Sequence, residues 1–101
     1  MARDYKEHLL NSLKNSEEAA AYINAAMEDN DLQVFLLALR DVADAQGGIG
    51  DLAQKTELNR ESLYRTLSKR GNPRLSGLKS VLEAFGLCLS VIPMTNKSAH
   101  R

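Results

Sequence analysis

The chain has 101 residues, 44% of them apolar and 26% charged, which suits one globular domain with a single core. No apolar run approaches the ~18 residues that a membrane-spanning helix needs, and Met1-Ala2-Arg3-Asp4-Tyr5-Lys6 leads into no apolar block of the signal-peptide kind, so neither membrane insertion nor export is expected. Net charge is zero, which by itself disfavours a nucleic-acid partner, but the charge is unevenly laid out. Residues 1–44 hold nine acids and four bases, −5, whereas residues 45–101 hold four acids and nine bases, +5. Salt screens charge over ~8 Å, so a basic face in the second half can meet phosphate while acids elsewhere hardly count. Cys88, the only cysteine, excludes an intramolecular disulfide, and its setting between Leu87 and Leu89 predicts a buried thiol in a reduced, cytoplasmic protein.

In chain order, residues 1–14 read as an N-terminal arm whose Tyr5, Leu9, Leu10 and Leu13 can pack loosely. Asn15 can cap a helix that starts at Ser16, with Glu18 three residues on. Ala19, Tyr22, Ile23, Ala26 and Met27 then keep helical spacing. Asp29-Asn30-Asp31 breaks that helix and caps the next, where Leu32, Phe35, Leu36, Leu39, Val42 and Ala43 form a wide apolar stripe that predicts burial. Gly47-Gly48 ends it, because glycine takes the left-handed conformation cheaply. Three short helices are expected at about 50–56, 60–69 and 76–85, with Gly71 closing the second, Ser76 capping the third and Gly86 stopping it. Leu87, Leu89 and Val91 alternate with Cys88 and Ser90, which predicts a short strand over 87–92, paired with the arm or with a second subunit. Residues 93–101 read as a flexible tail after the 15–92 domain. The expected architecture is therefore all-α, five helices with a short C-terminal β-strand.

The stretch from Gly50 to Ser68 predicts a helix-turn-helix. For two short helices to cross steeply, the residue at the crossing must be small, and Ala53 supplies that. Leu52, Leu58, Leu63 and Leu67 supply the core beneath them, and Asn59 is a good N-cap for the second helix. With Leu63 and Leu67 inward, the opposite face carries Arg60, Glu61, Tyr64 and Arg65, on a rod that fits a major groove. Arg65 can pair with guanine; Arg60 can do the same or hold phosphate; Glu61 can accept from cytosine; Tyr64 can stack or bind phosphate. Ser62, Lys69, Arg70, Arg74 and Lys79 are the expected phosphate contacts. Residues 60–79 hold six bases against one acid, the footprint of a nucleic-acid face.

Five segments together, Glu18-Ala19-Ala20-Ala21-Tyr22-Ile23, Ala38-Leu39-Arg40-Asp41-Val42-Ala43, Arg60-Glu61-Ser62-Leu63-Tyr64-Arg65-Thr66-Leu67, Gly71-Asn72-Pro73 and Leu82-Glu83-Ala84-Phe85-Gly86-Leu87, resemble the addiction-module antidote family, the HigA-like antitoxins with a lambda-repressor-like helix-turn-helix. The resemblance runs from about Asp4 to Ile92. It implies a five-helix DNA-binding antitoxin that neutralises a RelE/HigB-like toxin and represses its own operon, usually as a homodimer on a double-stranded operator. Two positions depart from the family pattern. Glu57 stands where many such turns have Gly, and a left-handed backbone there costs about 1–2 kcal/mol, so the turn is expected to take another shape. Gly50 stands where Ser, Thr or Gln commonly caps the first helix and touches phosphate.

Other chemistries find little purchase. His8 and His100 lie near opposite ends with no partner for a dyad, Cys88 sits in an apolar run unsuited to a nucleophile, and no metal-ligand spacing occurs. Gly47-Gly48-Ile49-Gly50 lacks the following Lys-Ser/Thr of a phosphate loop. No catalytic residue, metal or cofactor is expected. Glu17, Glu18, Glu28, Asp29 and Asp31 are either solvated helix ends or an acidic face for a basic toxin. The alternative to a DNA-binding regulator is a protein-interaction module that binds toxin or another partner without DNA.

Overall fold

The computed structural model describes residues 2–68 and 71–94 and contains six helices: α1 (Ala2–Ser12), α2 (Ser16–Met27), α3 (Leu32–Ala45), α4 (Gly48–Thr56), α5 (Arg60–Thr66) and α6 (Leu75–Ala84). The all-α class holds, but the five-helix count and the strand do not. The expected arm folds as α1, which packs on α3. Nothing in its own sequence marks its start, and a lone helix of this length is marginal in water. It is held instead by its C-terminal end, where Leu13 is fully buried and Gln46 Nε2 donates to the Leu13 carbonyl at 3.3 Å.

The strand fails for want of a partner. Among the described residues no strand is present, and Leu87–Met94 runs without a ladder. Alternation of apolar side chains builds a strand only where a second backbone offers hydrogen bonds, and the arm, one of the two partners expected for it, is the helix α1. Val91 is 98% exposed, and Cys88 is exposed too, contrary to the buried thiol expected from its neighbours. Leu87 instead completes the end of α6. Its N–H donates to the Leu82 carbonyl at 2.8 Å and Gly86 N–H to Glu83 at 3.0 Å, with Gly86 at φ +83°, a Schellman closure that only a left-handed residue permits.

The helix punctuation largely follows sequence chemistry. The Asn15 side chain accepts from the Glu18 amide at 3.1 Å, Asp31 from Gln33 at 2.9 Å, and Asn59 from Glu61 at 2.7 Å and Ser62 at 3.2 Å. Gly47, the N-cap of α4, and Gly48, its first residue, both have positive φ. Two assignments shift. The helix expected to start at Ser76 begins at Leu75, with Arg74 in the cap position and no side-chain cap bond. Gly71 is buried but does not cap α5, which ends at Thr66; a Cβ on it would lie 1.8 Å from the Thr66 carbonyl oxygen, so close backbone approach selects glycine there.

One core joins all six helices. Ala19, Ile23 and Ala26 from α2 meet Leu36, Ala38, Leu39, Val42 and Ala43 from α3, and Leu52, Ala53, Leu63, Leu67, Val81, Leu82 and Phe85 extend the core through the second half. α3 packs on α1, α2 and α4, and α4 in turn packs on α5 and α6. Not all of the expected stripe is covered, since Met27 (53% exposed) and Leu32 (48%) face solvent.

Across α2 and α3, the Tyr22 hydroxyl donates to Asp41 Oδ2 at 2.6 Å in a half-buried setting. Burial first, then the hydrogen bond and charge of Asp41, push the Tyr22 phenol far above its ordinary 10.0. Its contribution to stability is thus complete below about pH 10 and is lost as pH rises toward the folded-state value. Tyr22→Phe is expected to cost about 1 kcal/mol at neutral pH by urea unfolding. The gap between wild type and Tyr22→Phe should then be constant from about pH 8 to about pH 10 and shrink by about pH 11. A gap that stays constant through the whole of that range would show that the phenol's ionisation is not linked to folding.

Candidate nucleic-acid interface

α4, a three-residue turn and α5 occupy the positions predicted for the helix pair, although α4 starts two residues early, at Gly48. Leu52, Ala53, Leu63 and Leu67 are buried as expected, and Leu58 packs partly buried against the same core. Glu57 does adopt the left-handed conformation, φ +60° and ψ +21°, so the tight turn keeps its shape and the side chain bears the strain. Thr56 supports it: its hydroxyl donates to the Leu52 carbonyl at 2.8 Å and accepts from the Leu58 amide at 3.2 Å. Sequence reasoning passed over Thr56; its place at the last residue of α4, one before the turn, is the signal.

The anchoring of Leu63 and Leu67 leaves Arg60, Glu61, Tyr64 and Arg65 exposed, with Tyr64 57% accessible. Glu61 sits in the first turn of α5 and Arg65 in the last, the arrangement that complements the helix dipole. The two arginines are directed apart. The Arg60 guanidinium returns over the start of α4, 3.7–3.9 Å from where a Cβ on Gly50 would lie, and together they line an open hollow with Gly47, Asp51, Ala53 and Gln54. Gly50 thus leaves the room that a side chain would share with this arginine. Arg65 turns the other way. Its Nη2 reaches the Ser62 hydroxyl at 3.5 Å, and Ser62, Arg65 and Arg74 share a second hollow with Asn72, Ser76, Gly77 and Ser80.

Of the expected phosphate contacts, the structure brings Ser62 and Arg74 together with Arg65. Lys79 is exposed on α6 but does not line either hollow. Lys69 and Arg70 lie outside the described residues. Gln54, Ser76 and Ser80 were missed; the small residues at 76, 77 and 80 follow helical spacing on α6 and could have been read as a cleared face. Among the described residues, the ion pair found is Lys55 Nζ–Asp51 at 3.2 Å, an exposed pair of little energetic weight. Among the described residues neither Arg60 nor Arg65 has a carboxylate within that reach.

The fold and this face define a small all-helical protein with a buried-leucine helix pair that displays exposed arginines. The chain belongs to the addiction-module antidote family: residues 5–93 match the family model described as "Probable addiction module antidote protein". It is also similar to an uncharacterized protein of Haemophilus influenzae (strain Rd), 32% identical over 88 residues, which cover 87% of this chain and 86% of the relative. No solved structure matches it significantly. As an antidote, the chain has a toxin as its partner, and no described helix is long and apolar enough to cross a membrane.

The strained turn makes its own forecast. Glu57→Gly removes about 1–2 kcal/mol of left-handed strain and adds about 0.4–1 kcal/mol of unfolded-state entropy. A net gain of about 0.5–1 kcal/mol in urea unfolding is expected. A loss of stability instead would mean that the Glu57 carboxylate makes a contact worth more than the strain.

Proposed function

We propose that this antidote is also a sequence-specific DNA-binding regulator that represses its own operon, reading the operator with α5. The observation that supports this best is the outward face of α5. It presents two arginines with no carboxylate partner among the described residues, on a helix anchored by buried Leu63 and Leu67. A guanidinium left free in this way can pair bidentately with guanine O6 and N7 or clamp phosphate. Arg65, Glu61 and Tyr64 read base edges. Arg60 sits beside the N-terminus of α4, which suits phosphate better than a base. Arg74 and Ser62 add backbone contacts. Lys79, Lys69 and Arg70 belong to the same basic run, residues 60–79, with six bases against one acid.

A recognition helix of seven residues covers one half-site, so the protein acts as a homodimer on a twofold operator. Its second role is to bind and silence a RelE/HigB-like, mRNA-cleaving toxin in the cytoplasm. Both roles are non-catalytic and need no metal or cofactor.

A mobility-shift titration with the DNA upstream of the gene tests the regulator. Arg65→Ala should cost about 1–3 kcal/mol on that DNA and relax preference at one base position. Arg74→Ala should weaken cognate and random DNA alike and lower the salt slope by about one. Equal losses on both DNAs for Arg65→Ala would remove its base-reading role. No shift with wild type would leave a toxin-binding module that does not read DNA.

A further inference from the structure

One opening among the described residues does not involve α4 or α5. It is an open groove of about 580 Å³, walled by Ala20, Ile23 and Met27 of α2, Phe35 of α3, Leu78 and Leu82 of α6, and the segment from Gly86 to Ser90. The Schellman closure of α6 builds this last wall, since it folds Leu87 back beside Leu82. Asn24 and Ser90 contribute the polar side chains, and no charged residue lines it. Met27 is 53% and Leu89 40% exposed, and Val91, Ile92 and Met94, next along the chain, are exposed too. A contiguous apolar surface of this kind on a small chain marks a partner site.

The surroundings of the groove decide what can enter. Residues 15–39 hold five acids and no base. On α2, Glu17, Ala20, Asn24 and Glu28 follow one helical stripe, so carboxylates stand at both ends of the α2 wall, about 16 Å apart along the axis. Asp29 and Asp31 follow at the α2–α3 corner, and all four acids are exposed. On α6, Lys79 and Glu83 sit next to the lining residues and offset each other. An acidic rim of this kind repels DNA. It also disfavours a second copy, because a twofold contact would set the same carboxylates against one another.

We infer that this groove is the toxin-docking surface, and that it takes a basic protein that inserts one or two apolar side chains flanked by lysines or arginines. The inference rests on the antidote role and adds where the partner sits and what it must present. The acids steer the partner, and the apolar floor holds it. No groove residue belongs to α4 or α5, so toxin and DNA can be held together.

The test uses the full chain and the toxin encoded beside its gene. Met27→Lys with Leu89→Lys should lower affinity for that toxin at least about 100-fold by calorimetry. Glu17→Lys with Glu28→Lys should lower it about 10-fold, mainly through slower association at low salt. Both variants should keep the wild-type melting curve and the wild-type shift of operator DNA. As a readout that needs no variant, maleimide labelling of Cys88, exposed on the groove wall, should slow when toxin is added. Unchanged toxin affinity in the groove variants, with Cys88 labelling unaffected, would overturn this placement and leave the antidote role standing. A wild-type chain that does not bind the toxin would overturn both. A dimer that Met27→Lys with Leu89→Lys dissolves, with toxin affinity intact, would make the groove a self-interface and overturn the inference.

Discussion

The burial of Leu63 and Leu67 against α4 is the contact on which the proposed DNA face depends. α5 has seven residues, far too few for a stable helix in water. Its shape comes from the Asn59 cap at one end and from two leucines placed in the core shared with Leu52 and Ala53. Ala53 matters because a larger side chain at the crossing would push the helices apart. The same anchoring turns Arg60 and Arg65 to solvent. It also lets the turn tolerate a left-handed Glu57, because strain of that size survives only where neighbouring contacts outweigh it.

The uneven charge along the sequence becomes two separate surfaces in the fold. Five acids of the first half, Glu17, Glu18, Glu28, Asp29 and Asp31, lie on α2 and at the α2–α3 corner, beside an apolar groove. Of the bases in the second half, Arg60 and Arg65 lie on α5 and Arg74 at the start of α6. α6 belongs to both: Leu78 and Leu82 form a wall of the groove, while Ser76, Gly77 and Ser80 clear space beside Arg65 and Arg74. One short helix thus divides an apolar face from a polar one. Under the proposed dual role such a division is needed, since a basic toxin and an anionic operator require surfaces of opposite sign. Tyr22 and Asp41 brace the α2–α3 pair that carries the acidic side.

The helix pair, its cap and its leucines were legible because their signals are local. Asn59 precedes the helix it caps, and Leu63 and Leu67 repeat at helical spacing. The glycines at 47, 48 and 86 marked real positive-φ positions for the same reason. Gly71 was misread, since its need is set by the Thr66 carbonyl pressing on it and not by its own dihedral angles. α1 was read as an arm because its helix is secured by burial of Leu13 and by Gln46, more than thirty residues away.

Taken alone, the order of residues determined an all-helical chain, the places where most helices start and stop, and which side chains of the 60–68 stretch face outward. These follow from periodicity and capping, which act within a few residues. Only the tertiary structure decided that Leu87–Ile92 stays without a ladder, that Cys88 is open to solvent, that Arg60 and Arg65 diverge, and that an apolar groove opens beside α2. Each of these depends on which distant backbone or side chain lies alongside, and no local pattern encodes that.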